Sequence, residues 1–212
     1  MTDFDRVASS YRWLEYLAFG RTLQRARTAH MAELAGCRDI LIVGDGDGRA
    51  VAQLAAIAST ARIHCIDTSQ RMLDTAARRL PAAARDRVAF TCADVRTFDA
   101  GHHTWDAVVT LFVLDCFSDD DVRAIVERLH AALRPGGRWL FADFAMPAHG
   151  WRRRRARIWI DVLYRFFRWR TGLAVSRLPA SEAILAAAGM VPLAVEERQA
   201  GMIRSICYER RL

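Results

Sequence analysis

Residues 39–48 read Asp-Ile-Leu-Ile-Val-Gly-Asp-Gly-Asp-Gly, and this stretch decides the fold. A continuous apolar run closed abruptly by glycines is the pattern of a strand buried on both faces. Val51, Leu54, Ala55 and Ala58 follow at helical spacing, so the unit reads strand, tight turn, helix. The same alternation repeats downstream. Arg62 to Asp67 predicts a second strand, and Ser69 caps a helix with Met72, Leu73, Ala76 and Leu80 on its inner face. Arg87 to Asp94 and Trp105 to Leu114 predict the third and fourth strands. Ser118 followed by three aspartates caps a helix with Val122, Ile125, Val126, Leu129 and Leu133 on one face. Pro135-Gly136-Gly137 turns the chain into a fifth strand, Arg138 to Phe144. An Arg-rich helix over 151–170, a helix over 181–188 closed by Gly189, and strands near 191–197 and 202–209 complete the chain.

Strands alternating with helices imply right-handed crossovers and a mostly parallel, doubly wound α/β sheet. In such a sheet the ligand lies beyond the carboxyl ends of the strands, so the residues after each strand are the candidates. The first turn, Gly44-Asp45-Gly46-Asp47-Gly48, lets backbone approach a ligand at a helix N-terminus. A dinucleotide site needs G-x-G-x-x-G, and the third glycine of that pattern is replaced here by Arg49. Two acids in the turn also oppose a pyrophosphate and favour a ligand without phosphates. Asp67 follows the second strand, where a carboxylate accepts from both ribose hydroxyls. Asp94 follows the third, placed for an adenine amino group with Val95 beside the ring. Taken singly, each Asp also reads as an ordinary helix cap.

Together these segments resemble the class I S-adenosylmethionine-dependent methyltransferases. ILIVGDGDGR resembles the family's first motif, and DTSQRML, from Asp67 to Leu73, resembles the D-x-S-x-x-M-L after its second strand. CADV, DAVVTLFVLDCF and LRPGGRWLFADF resemble the next three motifs, in order, over residues 40–144. The resemblance implies a seven-stranded sheet with its last strand antiparallel. It also implies S-adenosylmethionine as cofactor, S-adenosylhomocysteine as product, and Gly44, Asp45, Gly46, Gly48, Asp67, Thr68, Met72, Asp94, Val95 and Leu111 around them. The chain departs from the family at Ile42, where an acid commonly sits two places before the first glycine; Asp45 or Asp47 is the candidate substitute.

Methyl transfer from a sulfonium needs alignment more than side-chain chemistry. A hydroxyl or carbon acid as acceptor needs a base, and Asp115, Asp143 and His149 lie near the ends of the fourth and fifth strands. His149 also reads as an ordinary surface residue. The acceptor must be chosen by segments outside the core. One is the helical preface, 1–35, with Tyr11 among its aromatics; the other is the insertion after the fifth strand, with Trp159 and Phe166. One methyltransferase domain is therefore expected over 1–212: a helical cap (1–35), a cofactor core (36–145), and a substrate segment with closing strands (146–212). The expected acceptor is small and aromatic or lipophilic.

The Arg-rich helix carries an apolar arc wider than one supporting contact requires. It reads as a pocket wall, as a basic amphipathic helix resting on an anionic membrane, or as a core helix with a solvated Arg edge. The net charge of +7, carried without a single Lys, also raises nucleic acid as a partner. Against that, the Leu114-Asp115-Cys116-Phe117 stretch lacks the N/D-P-P-Y/F of base-modifying enzymes, and no added RNA-binding domain is visible. A non-catalytic cofactor binder on the same fold is the remaining rival. Five scattered cysteines without C-x-x-C spacing read as buried small hydrophobes in a reducing compartment. The opening residues are acidic where a signal peptide is basic, which makes the cytoplasm the expected location.

Overall fold

The structure, a computed structural model, describes residues 21–147, 149–171 and 177–211, the side chains of 163, 164 and 166–171 excepted. Seven strands form one sheet: β1 (Asp39–Val43), β2 (Arg62–Asp67), β3 (Val88–Cys92), β4 (Trp105–Leu111), β5 (Leu133–Phe144), β6 (Met190–Arg198) and β7 (Ile203–Arg210). Their order is β3-β2-β1-β4-β5-β7-β6. The first five run parallel, while β7 is antiparallel to both β5 and β6. This is the seven-stranded arrangement expected of class I methyltransferases.

Every residue of β1 is buried, as its unbroken apolar run requires. Ile40 and Ile42 face one core with Leu54, Leu73 and Val109, while Leu41 and Val43 face the other with Ile125, Leu129 and Trp139. The period of two thus divides one strand between two helical layers. The first layer holds α2 (Arg49–Ile57) and α3 (Gln70–Arg79); the second holds α4 (Asp119–Ala132) and α6 (Ser181–Ala187). Ser69 and Ser118 cap α3 and α4, accepting from the Met72 and Asp121 N–H groups. Strand order reverses between β1 and β4, which opens a cleft at their carboxyl ends.

Two elements roof that edge. Helix α1 (Thr22–Thr28) is tied to β7 by Ser205 Oγ, which donates to the Ala26 carbonyl at 2.8 Å. Helix α5 (Gly150–Thr171) follows β5 and rests Ala156 and Ile160 on Leu23, Ala26, Met202 and Ile203. The preface differs from its expected outline. Within the preface expected to be helical over 1–35, the described helix stops at Thr28 and is followed by a 3-10 turn, Met31–Leu34. Two polar contacts accompany the early stop: Thr28 Oγ1 donates to the Gln24 carbonyl, and His30 Nε2 meets the Ser205 carbonyl at 3.0 Å. Cysteine burial also departs in part from expectation. Cys65 and Cys207 are buried, but Cys92 is exposed because β3 is an edge strand.

At the amino edge, Asp106 ties the sheet together and takes no part in the cleft. Its carboxylate accepts from the Arg38 and Asp39 N–H groups at 2.8 and 3.0 Å and pairs with Arg134. Burial pushes its pKa up, but Arg134 and the two N–H groups outweigh that and hold it below the usual range.

Candidate cofactor and active site

The first turn is built from three left-handed glycines with three different reasons to lack a side chain. Gly44 (φ +67°) passes the exit of β4, where a Cβ would lie 2.7 Å from Val113 Cγ2. Gly48 (φ +83°) lets α2 meet α3; a Cβ there would lie 2.3 Å from Ala76 Cα. Around Gly46 (φ +63°) a Cβ would meet nothing within 4 Å, so the backbone stands open to the cleft.

The two acids of the turn part company. Asp47 turns to the surface, 3.1 Å from Arg49 Nε and 3.2 Å from Arg79 Nη2. Asp45 turns inward and caps α2, accepting from the Ala50 and Val51 N–H groups at 3.0 and 2.7 Å. It thereby occupies the donors that a pyrophosphate would need. Burial pushes its pKa up to about 7, against the pull of the two N–H groups and of Arg27.

Asp67 joins the first and second turns. Its Oδ1 accepts from the Ser69 N–H at 2.9 Å and its Oδ2 from the Gly46 N–H at 3.4 Å. Thr68 beside it is exposed, and Met72 is half-buried. Asp94 closes β3 but is gripped by Arg96, whose Nη2 approaches to 2.6 Å. Hydrogen bonding from the Arg96 side chain holds the Asp94 carboxyl below its ordinary range. Val95 and Leu111 are buried.

The candidate bases fall in two places. Asp143 is buried at the end of β5 and accepts from the Asp115 and Phe144 N–H groups at 3.1 and 2.9 Å. Burial, then the neighbouring Asp115 charge, raise its pKa well above the carboxylate range. Asp115 is half-buried, with its Oδ1 3.5 Å from Cys116 Sγ, and burial pushes its pKa up to about 6. His149 is exposed in the segment leading into α5. Of the acceptor candidates, Tyr11 and the Phe166 side chain lie outside the described residues, and Trp159 is 43% exposed on α5.

Three residues join the site that the sequence did not single out. Phe112 leaves β4 with φ +58° and meets Phe144 edge-to-face, ring centroids 5.5 Å apart. Arg27 reaches over from α1, its guanidinium carbon 5.0 Å from the Phe112 ring centre, and its charge lowers both Asp45 and Asp115. Phe112 lies within a quoted motif, but nothing local announces its left-handed backbone. Arg27 is one of many arginines, and only tertiary structure distinguishes it.

Residues 40–137 match the family model described as a methyltransferase domain. No curated protein sequence matches the chain. Among solved structures, the chain resembles the Burkholderia thailandensis 1,6-didemethyltoxoflavin-N1-methyltransferase, bound to 1,6-didemethyltoxoflavin and S-adenosylhomocysteine. The TM-score is 0.68 at 20% identity, covering 99% of this chain and 86% of that one. The N-methyltransferase NodS from Bradyrhizobium japonicum, with S-adenosylhomocysteine, gives 0.64 at 18% identity over 91% and 87%. The mitomycin 7-O-methyltransferase MmcR gives 0.70 at 20% identity over 99% of this chain, which spans 61% of MmcR. The motifs in order, the strand order and the open glycine turn beside Asp67 agree with the matched domain: residues 40–137 carry a methyltransferase domain, and the chain has the fold of S-adenosylmethionine-dependent methyltransferases.

Proposed function

We propose that this enzyme methylates a small acceptor with an aromatic or lipophilic body, held between the cofactor turn and the roof formed by α1 and α5. The observation that carries this reading is the Phe112–Phe144 pair at the carboxyl ends of the two central strands β4 and β5. Val113, next in chain to Phe112, sits against Gly44, so the aromatic wall adjoins the first turn directly. Above the pair lie Leu23 and Ala26 of α1 and Ala156 and Ile160 of α5. Such a wall excludes water and holds an aromatic ring by area and edge-to-face contact. The two neighbours named for didemethyltoxoflavin and mitomycin act on small molecules, which agrees with this reading.

S-adenosylmethionine, when bound, supplies a methyl group on an electrophilic sulfonium. The chain's own residues hold and orient. Gly46 offers open backbone, Asp67 the ribose contact, Asp94 and Val95 the adenine contact, with Thr68, Met72 and Leu111 around them. Asp45 takes the amino end of the methionine portion in place of the acid absent at position 42, since Asp47 is engaged by Arg79 and Arg49. Asp115, raised to about 6, is poised to accept a proton from an acceptor hydroxyl near neutral pH. Asp143 acts through it: by accepting the Asp115 N–H it fixes the backbone that carries the base. The Trp159 and Phe166 positions on α5 and Tyr11 in the preface stand on the segments that set acceptor choice. His149, exposed, is the alternative base.

Incubation with methyl-labelled cofactor and a panel of phenols, hydroxylated heteroaromatics, aromatic amines and RNA tests this reading. Label is expected in an aromatic small molecule. With a hydroxyl acceptor, Asp115→Asn is expected to lower kcat by about 10²-fold or more and to remove the rising limb of the pH profile near pH 6, with cofactor affinity retained. Label in RNA alone, or an unchanged pH profile in Asp115→Asn, would contradict the acceptor or the base assignment respectively.

A further inference from the structure

Helix α5 carries eight arginines and a single acid, Asp161, so its net charge of +7 equals that of the whole chain. The rest of the sequence is electrically balanced. The same helix exposes large apolar side chains: Trp151 at 64%, Ile158 at 65% and Val162 at 53%. At 100° per residue these three fall on one stripe, nearly opposite Ala156 and Ile160, the side chains that α5 buries against the protein. Arg152 borders the stripe on one side, Arg154 and Arg165 on the other, all three exposed. A core helix with a solvated Arg edge would show none of this, because its apolar face would be covered.

We infer that the outer face of α5 docks on the surface of an anionic lipid bilayer. An apolar stripe flanked by arginines is what the boundary between lipid headgroups and acyl chains selects, apolar side chains inserting while guanidinium groups pair with phosphate. Trp151 suits that boundary, and its ring lies 5.7 Å from the Arg155 guanidinium carbon. Arg155 in turn donates to the Gln199 carbonyl at 3.2 Å, which anchors this end of α5 to the body. Among the described residues no helix is long and apolar enough to cross a membrane, so α5 lies along the surface. An arginine field alone would equally suit RNA. Ile158 and Val162, however, offer no flat face on which a base could stack, and burying them against a phosphate backbone gains little. The docking itself does not depend on the proposed acceptor. It adds a route to it, because the inner face of α5 covers the aromatic pocket, where a lipophilic acceptor would arrive from the bilayer.

Co-sedimentation of the full chain with phosphatidylglycerol–phosphatidylcholine vesicles, against phosphatidylcholine alone, tests the inference. Binding is expected only to the anionic vesicles and should weaken at high salt. It should fall about tenfold or more both in the Arg152→Gln/Arg154→Gln/Arg165→Gln variant and in Ile158→Glu/Val162→Glu. Far-UV circular dichroism and calorimetry with S-adenosylhomocysteine should be unchanged in both variants, which separates lost docking from lost folding. No vesicle binding, or vesicle binding indifferent to Ile158→Glu/Val162→Glu, would overturn the inference. So would binding to RNA that exceeds binding to vesicles and depends on the arginines alone.

Discussion

Gly48→Ala is expected to destabilise the protein more than any other single change in the first turn. The position has φ +83°, a left-handed conformation costing an L-residue about 1–2 kcal/mol. The new methyl would also lie 2.3 Å from Ala76 Cα, on the backbone of a neighbouring helix that cannot rotate away. Overpacking of a rigid contact typically costs a further 1–3 kcal/mol, giving a loss of roughly 2–5 kcal/mol. Gly46→Ala is the control. It meets the conformational cost alone, about 1–2 kcal/mol, since nothing lies within 4 Å of its Cβ. Urea unfolding should therefore show a much lower midpoint for Gly48→Ala, whereas Gly46→Ala should lose cofactor affinity out of proportion to its stability. Equal midpoints would mean that α2 and α3 do not meet as described.

The second large effect is expected at Asp67. Its carboxylate links Ser69 and Gly46, and under the proposed function it accepts from two ribose hydroxyls, which its removal would leave unpaired. A charge-assisted hydrogen bond contributes about 1.5–3 kcal/mol, so Asp67→Ala should weaken S-adenosylhomocysteine binding by about 10- to 150-fold. Asp47→Ala, though only twenty residues away and of the same chemistry, removes surface ion pairs with Arg49 and Arg79. Exposed pairs contribute about 0–1 kcal/mol, and the affinity should change less than about fivefold. Because Asp67 also accepts backbone N–H groups, Asp67→Asn provides a second variant that keeps its shape. Equal losses for Asp67→Ala and Asp47→Ala would mean that β2 does not end at the ribose.

Sequence and structure agree where local chemistry is sufficient. The β2 segment Arg62–Asp67 and the caps at Ser69 and Ser118 follow from short patterns whose physics is complete within a few residues. The strand order beyond them rests on resemblance, because parallel pairing between β1 and β4 joins residues more than sixty apart. What the sequence left open depends on which neighbour arrives in space. Asp45 and Asp47 look alike in the turn, and only the position of α3 with Arg79 separates them. The width of the α5 arc was visible in its periodicity, but periodicity cannot say which part of an arc meets protein. Burial of Ala156 and Ile160 alone among its described side chains makes that distinction. Arg96, which grips Asp94, lies only two residues away, within the range of local sequence patterns.

The most direct test is a pair of calorimetric titrations, S-adenosylhomocysteine and NAD, each against this chain. S-adenosylhomocysteine should bind and NAD should give no heat, because Asp45 occupies the N–H groups at the start of α2 that a pyrophosphate requires. The pH dependence has a definite sign. Under the proposed function Asp45, raised to about 7 and so protonated below that value, loses its proton to face the ligand's ammonium group. Affinity should therefore fall as the pH is lowered through 7, by up to about tenfold per unit, with proton release on binding. Binding of NAD with no response to S-adenosylhomocysteine at any pH would contradict the assignment of the site.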